Sequence, residues 1–221
     1  MGIAEILLLM VIAAPPIILA ITVHEAAHAY AADALGDSTA RQLGRVSLNP
    51  FRHIDPVGTV LLPLMMLVTT GFLFGWAKPV PVQFGRLRHP QRDMAIVGGA
   101  GPASNLVMAL FWGFLLKLSL PFGDADLSMV VLQQMAGVGV SINIVLMILN
   151  MLPVPPLDGS RVVVGFLTPV NAAKYLQLER HSMLIMIGLV VLMFTGVLGA
   201  VLIPLVESAK LALFTLLGVP F

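Results

Sequence analysis

The feature that most constrains this chain is its series of long apolar runs, at about 3–23, 57–75, 94–120, 127–152 and 183–206. Each approaches the ~20 residues that a helix needs to cross a bilayer. A sixth run, 208–219, is too short to assign by length. Only 10% of the 221 residues are charged and 58% are hydrophobic, whereas a soluble domain carries roughly 25% charged residues. A soluble core needs a charged surface around it, and this sequence lacks the polar material to make one. The expected fold is an all-α polytopic membrane protein with about five or six membrane segments and short extended or re-entrant loops. No linker separates soluble domains, so residues 1–221 read as a single integral-membrane domain.

A formal net charge of +1 leaves no basic excess to neutralise phosphates, which excludes nucleic acid as a partner. With no cysteine, any metal must be held by histidine and carboxylate side chains. The segment Met1-Gly2-Ile3-Ala4-Glu5 has no basic run before the apolar stretch and reads as retained rather than as a secretory signal.

Three basic clusters, around Arg41 to Arg52, Lys78 to Arg92 and Arg161 to Arg180, contrast with Asp124 and Asp126 in the remaining loop. The positive-inside rule places all three clusters on the cytoplasmic side and the acidic loop outside. Two clusters flank 57–75, so that stretch is expected to re-enter rather than cross, a path that Gly58, Pro63, Gly71 and Gly75 permit. Pro15-Pro16 interrupts helix hydrogen bonding, and the next helix is expected to start near Pro16 and run to about Leu35, before Gly36.

That helix carries His24-Glu25-Ala26-Ala27-His28. Four residues apart, the two imidazoles project from one helix face toward a shared ion, the geometry of two zinc ligands. Glu25, beside the first ligand, is placed to take a proton from an attacking water. The pattern also occurs by chance, but polar groups in a membrane helix are costly, about 2.5–3.5 kcal/mol for a central acidic residue, and call for a compensating partner such as a metal. A third ligand is needed, and the candidates are carboxylates or His53, His89 and His181. Asp158 is the best placed, in a proline-rich stretch that can unwind the end of an apolar helix, although alone such a residue is more often a helix N-cap.

The pairing of HEAAH with Asn150-x-x-Pro153-x-x-x-Leu157-Asp158-Gly159 resembles the two signatures of the site-2 proteases, which are intramembrane zinc metalloproteases. Gly101-Pro102-Ala103-Ser104-Asn105 resembles that family's small-residue motif. Gly44 to Pro50, His53 to Pro56 and Gly75 to Val82 resemble a compact bacterial or archaeal subgroup without appended soluble regulatory domains. Covering about 16–165, the resemblance implies a three-helix catalytic core with further C-terminal membrane segments in 183–217. It implies that His24, His28 and Asp158 bind one Zn2+ per chain, that Glu25 is the general base, and that Asn105 and Asn150 lie near the metal as substrate or oxyanion contacts. Read without it, Asn105 is a polar contact between closely packed helices and Asn150 a partner for backbone freed by Pro153. The implied activity is hydrolysis of transmembrane protein substrates in regulated intramembrane proteolysis, in a prokaryotic cell (inner) membrane, with lipid and separate regulatory proteins as partners.

Other classes stay open at this level: a membrane metal transporter, which would want carboxylates in series, and a noncatalytic scaffold holding a structural zinc. Trp76 and Tyr175 read as interfacial anchors, and His53 as a loop or turn contact. Pro79 and Pro81 between valines suggest an extended segment, 75–82, whose free edge is expected to pair with an unwound substrate strand.

Overall fold

A computed structural model of the chain describes residues 3–61, 65, 78–122 and 126–220. The first element, α1 (Ile3–Ala34), runs through Pro15 and Pro16 without a break, so the expected restart at Pro16 is corrected. Each proline forfeits one helix hydrogen bond, but in an apolar environment a full interruption would leave more backbone unsatisfied, and the helix persists. Pro16 is buried. His24 then lies about 15 Å, ten residues at 1.5 Å each, from the C-terminal end of α1.

Past α1 and the short α2 (Thr39–Gln42), the chain folds back along the first helix. Pro50, His53, Ile54 and Thr59 line a small cavity with Ile18, Ile21 and Thr22, far down α1 from the point where the loop left it. The Lys78 N–H donates to the His53 carbonyl at 3.0 Å, and the Arg88 N–H donates to the Leu35 carbonyl at 3.1 Å. The chain therefore leaves α1 at Leu35 and comes back beside Leu35 at Arg88. Most of 57–75, with Trp76, lies outside the described residues.

Two long helices complete the centre: α3 (Pro90–Ser119) and α4 (Leu127–Asn150). Pro90 opens α3, and Asp93 near that end accepts the His89 N–H at 2.8 Å, which satisfies a donor the helix cannot. Asp126 caps α4 by accepting the Ser128 N–H at 2.8 Å. Helices α1, α3 and α4 pack on one another. Ala20, Ala26, Ala29 and Ala32 are buried on α1, side chains small enough for close helix approach.

The chain continues through α5 (Asp158–Val164), α6 (Pro169–Leu176), α7 (Ser182–Phe194) and α8 (Val197–Leu217). The last apolar stretch breaks at Gly196, whose φ of +78° ends one helix and starts the next, while Pro204 sits inside α8. The division into runs at 183–206 and 208–219 is thereby corrected. Leu213 and Leu217 of α8 lie against Gly113 of α3.

Among the described residues five helical stretches are long and apolar enough to cross a membrane: Leu8–Ala34, Pro90–Phe122, Leu127–Asn150, Pro169–Phe194 and Val197–Leu217. Their outward faces carry Leu19, Val107, Phe111, Phe114, Ile187, Val191, Val201 and Leu205, all exposed. A continuous apolar exterior of this kind is solvated by lipid, and the protein is multi-pass and integral to the membrane.

Candidate metal centre

The HEAAH pentapeptide lies within α1, so its histidines share a face by helical periodicity. That face meets α3 at Gly101, where a β-carbon would stand 2.4 Å from His28 Nε2 and 2.6 Å from His24 Cε1. Only a residue without a side chain lets the two rings occupy this space. On the adjoining turn of α3, a β-carbon at Gly98 would stand 2.6 Å from Arg161 Cβ and 3.0 Å from the Asp158 carbonyl oxygen. Two glycines on α3 thus admit the histidines of α1 and the first turn of α5 to one place.

Asp158 reaches that place because α4 ends at Asn150 and the proline-rich segment that follows turns the chain back into α5. Its cap position is filled by Leu157, so Asp158 sits in the first turn and is not the N-cap. The turn is braced from outside, where Tyr175 donates its hydroxyl to the Pro153 carbonyl at 2.5 Å. Tyr175 therefore supports the loop that delivers Asp158, beyond the interfacial anchoring expected of it. Gln91 of α3 donates to the carbonyls of Val164 and Leu167, at 2.8 and 2.6 Å, and ties down the far end of α5.

The three ligand candidates converge. Asp158 Oδ2 is 3.1 Å from His24 Nε2 and 3.3 Å from His28 Nε2, and the two Nε2 atoms are 3.1 Å apart. His24 and His28 are 8% and 9% exposed. Each ring is oriented through its other nitrogen: His28 Nδ1 donates to the Val97 carbonyl at 2.7 Å, and His24 Nδ1 donates to Asn105 Oδ1 at 2.6 Å. With the hydrogens on Nδ1, both Nε2 atoms present lone pairs to each other and to a carboxylate oxygen that is buried without a hydrogen-bond partner. Three converging lone pairs repel one another unless a cation stands between them. His24, His28 and Asp158 accordingly form a group that can hold a metal ion, with ligand atoms all within 4.8 Å of one another, and a His2Asp set is a zinc donor set.

Glu25 is half-buried, and its Oε2 accepts the Val80 N–H at 2.8 Å. Val80 belongs to the segment expected to offer a free strand edge. Among the described part of that segment, Pro79 and Pro81 have no N–H, the Lys78 N–H goes to His53 and the Val80 N–H goes to Glu25. These donors are engaged by the protein itself, which corrects the free-edge expectation over 78–81; residues 75–77 lie outside the described residues. Buried Arg45 fastens the same segment by donating Nη2 to the Lys78 carbonyl at 2.7 Å. Burial lowers the Arg45 guanidinium below its usual pKa, and the charge of Glu25 counters that shift.

Asn105 is fully buried, with its oxygen committed to His24 and its Nδ2 donating to Asn143 Oδ1 at 2.9 Å. Asn150 donates to the Leu146 carbonyl of its own helix at 3.0 Å. The structure thus joins Asn105 to the metal group through a ligand and gives Asn150 a backbone partner. His53 donates Nε2 to the Ser47 carbonyl at 2.8 Å, a loop contact. Sequence reasoning missed Asn143 and Gly101 as parts of the site. Asn143 carried a legible signal, an amide in the middle of an apolar run.

Residues 124–195 match the profile described as "Peptidase family M50". The chain is 36% identical over 207 residues to the Bacillus subtilis protein named "Putative zinc metalloprotease YwhC", covering 93% of this chain and 90% of that protein. It is 29% identical over 175 residues to the Mycolicibacterium smegmatis protein named "Putative zinc metalloprotease Rip2", covering 79% of this chain and 64% of that one. No solved structure matches the chain significantly.

Proposed function

The chain belongs to peptidase family M50, the intramembrane zinc metalloproteases of the site-2 type, and on that premise we propose that His24, His28 and Asp158 hold its zinc and that Glu25 is its general base. The observation that carries this reading is the convergence of two Nε2 atoms and an unpartnered carboxylate oxygen, with Glu25 next in the chain to one of those ligands. Zinc at such a site supplies Lewis-acid chemistry, lowering the pKa of water and polarising a carbonyl. The protein's own contribution is orientation and proton movement. Val97 and Asn105 keep the ring hydrogens on Nδ1, and Glu25 takes a proton from the attacking water and passes it to the leaving amine.

Residues 1–221 act as one catalytic domain in this reading, with the core at about 16–165 and the segments in 183–217 flanking it. The substrates are transmembrane proteins, the setting is a prokaryotic cell (inner) membrane, and separate proteins regulate cleavage. Among the described residues one group of histidine and carboxylate side chains, His24, His28 and Asp158, can hold a metal, which favours an enzyme over a transporter with carboxylates in series.

The deciding comparison is wild type against Glu25→Gln, purified in detergent or lipid, for zinc content and for cleavage of a transmembrane substrate. Zinc retained with cleavage lost is expected. Cleavage by Glu25→Gln would remove Glu25 as the base, and zinc binding without cleavage by the wild type on a panel of membrane substrates would favour a scaffold.

A further inference from the structure

The two histidines of the metal group are oriented by partners of different kinds. His28 Nδ1 faces the Val97 carbonyl, which can only accept, so the hydrogen on that nitrogen is fixed by backbone chemistry. His24 Nδ1 faces a side-chain amide, Asn105, which accepts through oxygen but donates through nitrogen. Turned over, the Asn105 amide would offer N–H groups to His24 Nδ1, move the ring hydrogen to Nε2, and remove the lone pair that faces His28 and Asp158. Something must fix which way Asn105 points.

We propose that Asn143 is a positioning residue for the metal centre, which sets the orientation of Asn105 and through it the nitrogen of His24 left free to bind metal. The inference rests on the assignment of His24, His28 and Asp158 as the metal ligands. Asn143 stands on α4, fully buried, and donates Nδ2 to the Gly139 carbonyl one turn back at 2.8 Å. A helix carbonyl is a fixed acceptor, so the amide nitrogen of Asn143 stays with its own helix and its oxygen faces α3. That oxygen accepts from Asn105 Nδ2 at 2.9 Å, which leaves Asn105 Oδ1 for His24 Nδ1 at 2.6 Å. The remaining Asn105 hydrogen points to the Ala20 carbonyl of α1 at 3.4 Å. Each amide has one arrangement in which its neighbours are satisfied, and the information starts at the backbone of α4. Asn143 thereby makes Asn105 do for His24 what the Val97 carbonyl does for His28.

Three variants of the full chain separate this role from an ordinary polar contact between membrane helices. Asn143→Leu removes the acceptor that holds Asn105 and should lower zinc affinity, read by chelator competition, by about 10–100-fold, the range for losing a residue that orients a ligand. Asn143→Asp keeps an acceptor toward Asn105 in either protonation state, and its affinity should stay within about threefold of wild type, small beside that loss. Adding Asn105→Asp to Asn143→Leu gives His24 an acceptor that cannot turn over, and affinity should recover. Wild-type affinity in Asn143→Leu, with only a lowered melting temperature, overturns the proposal, as does equal loss in Asn143→Asp and Asn143→Leu. Should Asn143→Leu fail to fold, Asn143→Ala removes the same acceptor with a smaller side chain: the same loss of zinc affinity is expected, and wild-type affinity overturns the proposal. None of these readouts uses peptide cleavage, so a protein that binds zinc but cuts nothing would fail the protease reading without touching this one.

Discussion

Val80 donates its backbone N–H to Oε2 of Glu25 at 2.8 Å, across 55 positions of sequence. The bond connects the proposed base to a segment that Arg45 and His53 fasten from both sides. A hydrogen bond to an ionised group is worth about 1.5–3 kcal/mol, and it holds one carboxylate oxygen so that the other is available for proton transfer. Val80→Pro removes that single donor between two existing prolines. Its kcat/KM should fall by about tenfold or more, the effect of at least 1.4 kcal/mol, while zinc content stays at the wild-type level. Val80→Ala retains the N–H and should behave as wild type; equal losses in the two would locate the effect in the side chain.

Gly101 supplies a test of the ligand geometry that leaves every ligand in place. A β-carbon there would come 2.4 Å from His28 Nε2 and 2.6 Å from His24 Cε1, well inside contact distance. The rings lie between α1 and α3 and cannot yield without losing their bonds to Val97 and Asn105. Gly101→Ala should therefore lower zinc affinity by at least tenfold and cost about 1–3 kcal/mol of stability through overpacking. Chelator competition and melting in the same detergent would measure both, and unchanged zinc affinity would show that the rings have freedom the packing denies them.

Much of this site was legible in the sequence because its signals are local. HEAAH states a spacing that one helix converts into a shared face, and Pro153 through Asp158 state where a helix must stop and turn. What was not legible depends on contacts between distant segments. No local pattern says that Gly101 faces two histidines or that Val80 meets Glu25. Helix ends were misjudged where local rules gave way: two prolines did not interrupt α1, because its neighbours and the apolar setting favour a continuous helix, and the break near the C-terminus fell at Gly196 rather than between the runs 183–206 and 208–219, because a left-handed residue ends a helix more completely than an internal proline.

The returning loop is held to α1 by a carboxylate that should respond to acid. Asp37 is fully buried, accepting the Thr39 N–H at 3.0 Å and the Gln83 N–H at 2.6 Å. Burial pushes its carboxyl up, but the bonds from Thr39 and Gln83 outweigh that and hold it below the ordinary aspartate range, with Arg86 adding to the effect. A folded-state pKa below the unfolded value stabilises the fold above about pH 4 and ceases to do so as pH falls through the folded value. Asp37→Asn should therefore melt below wild type at pH 7, with the gap narrowing below about pH 4. A gap independent of pH would assign the effect to packing.

Asp158→Asn tests the claim that three lone pairs require a cation. In the metal-free wild type, a carboxylate oxygen without a hydrogen-bond partner faces two imidazole nitrogens at 3.1 and 3.3 Å, an arrangement that favours the fold only when a positive charge joins it, a metal ion or a proton taken up by an imidazole. An amide in the same position can donate N–H groups to those nitrogens and satisfy the site without metal. At a pH high enough to keep both imidazoles neutral, the metal-free variant should then melt above the metal-free wild type, although it has lost a ligand. A ligand at about 100 times its Kd stabilises a fold by about 2.7 kcal/mol, so zinc should raise the wild-type melting temperature by several degrees. The variant, its affinity weakened, should show little or no rise. Opposite orders of stability in the two conditions, wild type above the variant with zinc and below it without, are the signature of a site built for a cation; the same order in both would mean that Asp158 serves the fold rather than the metal.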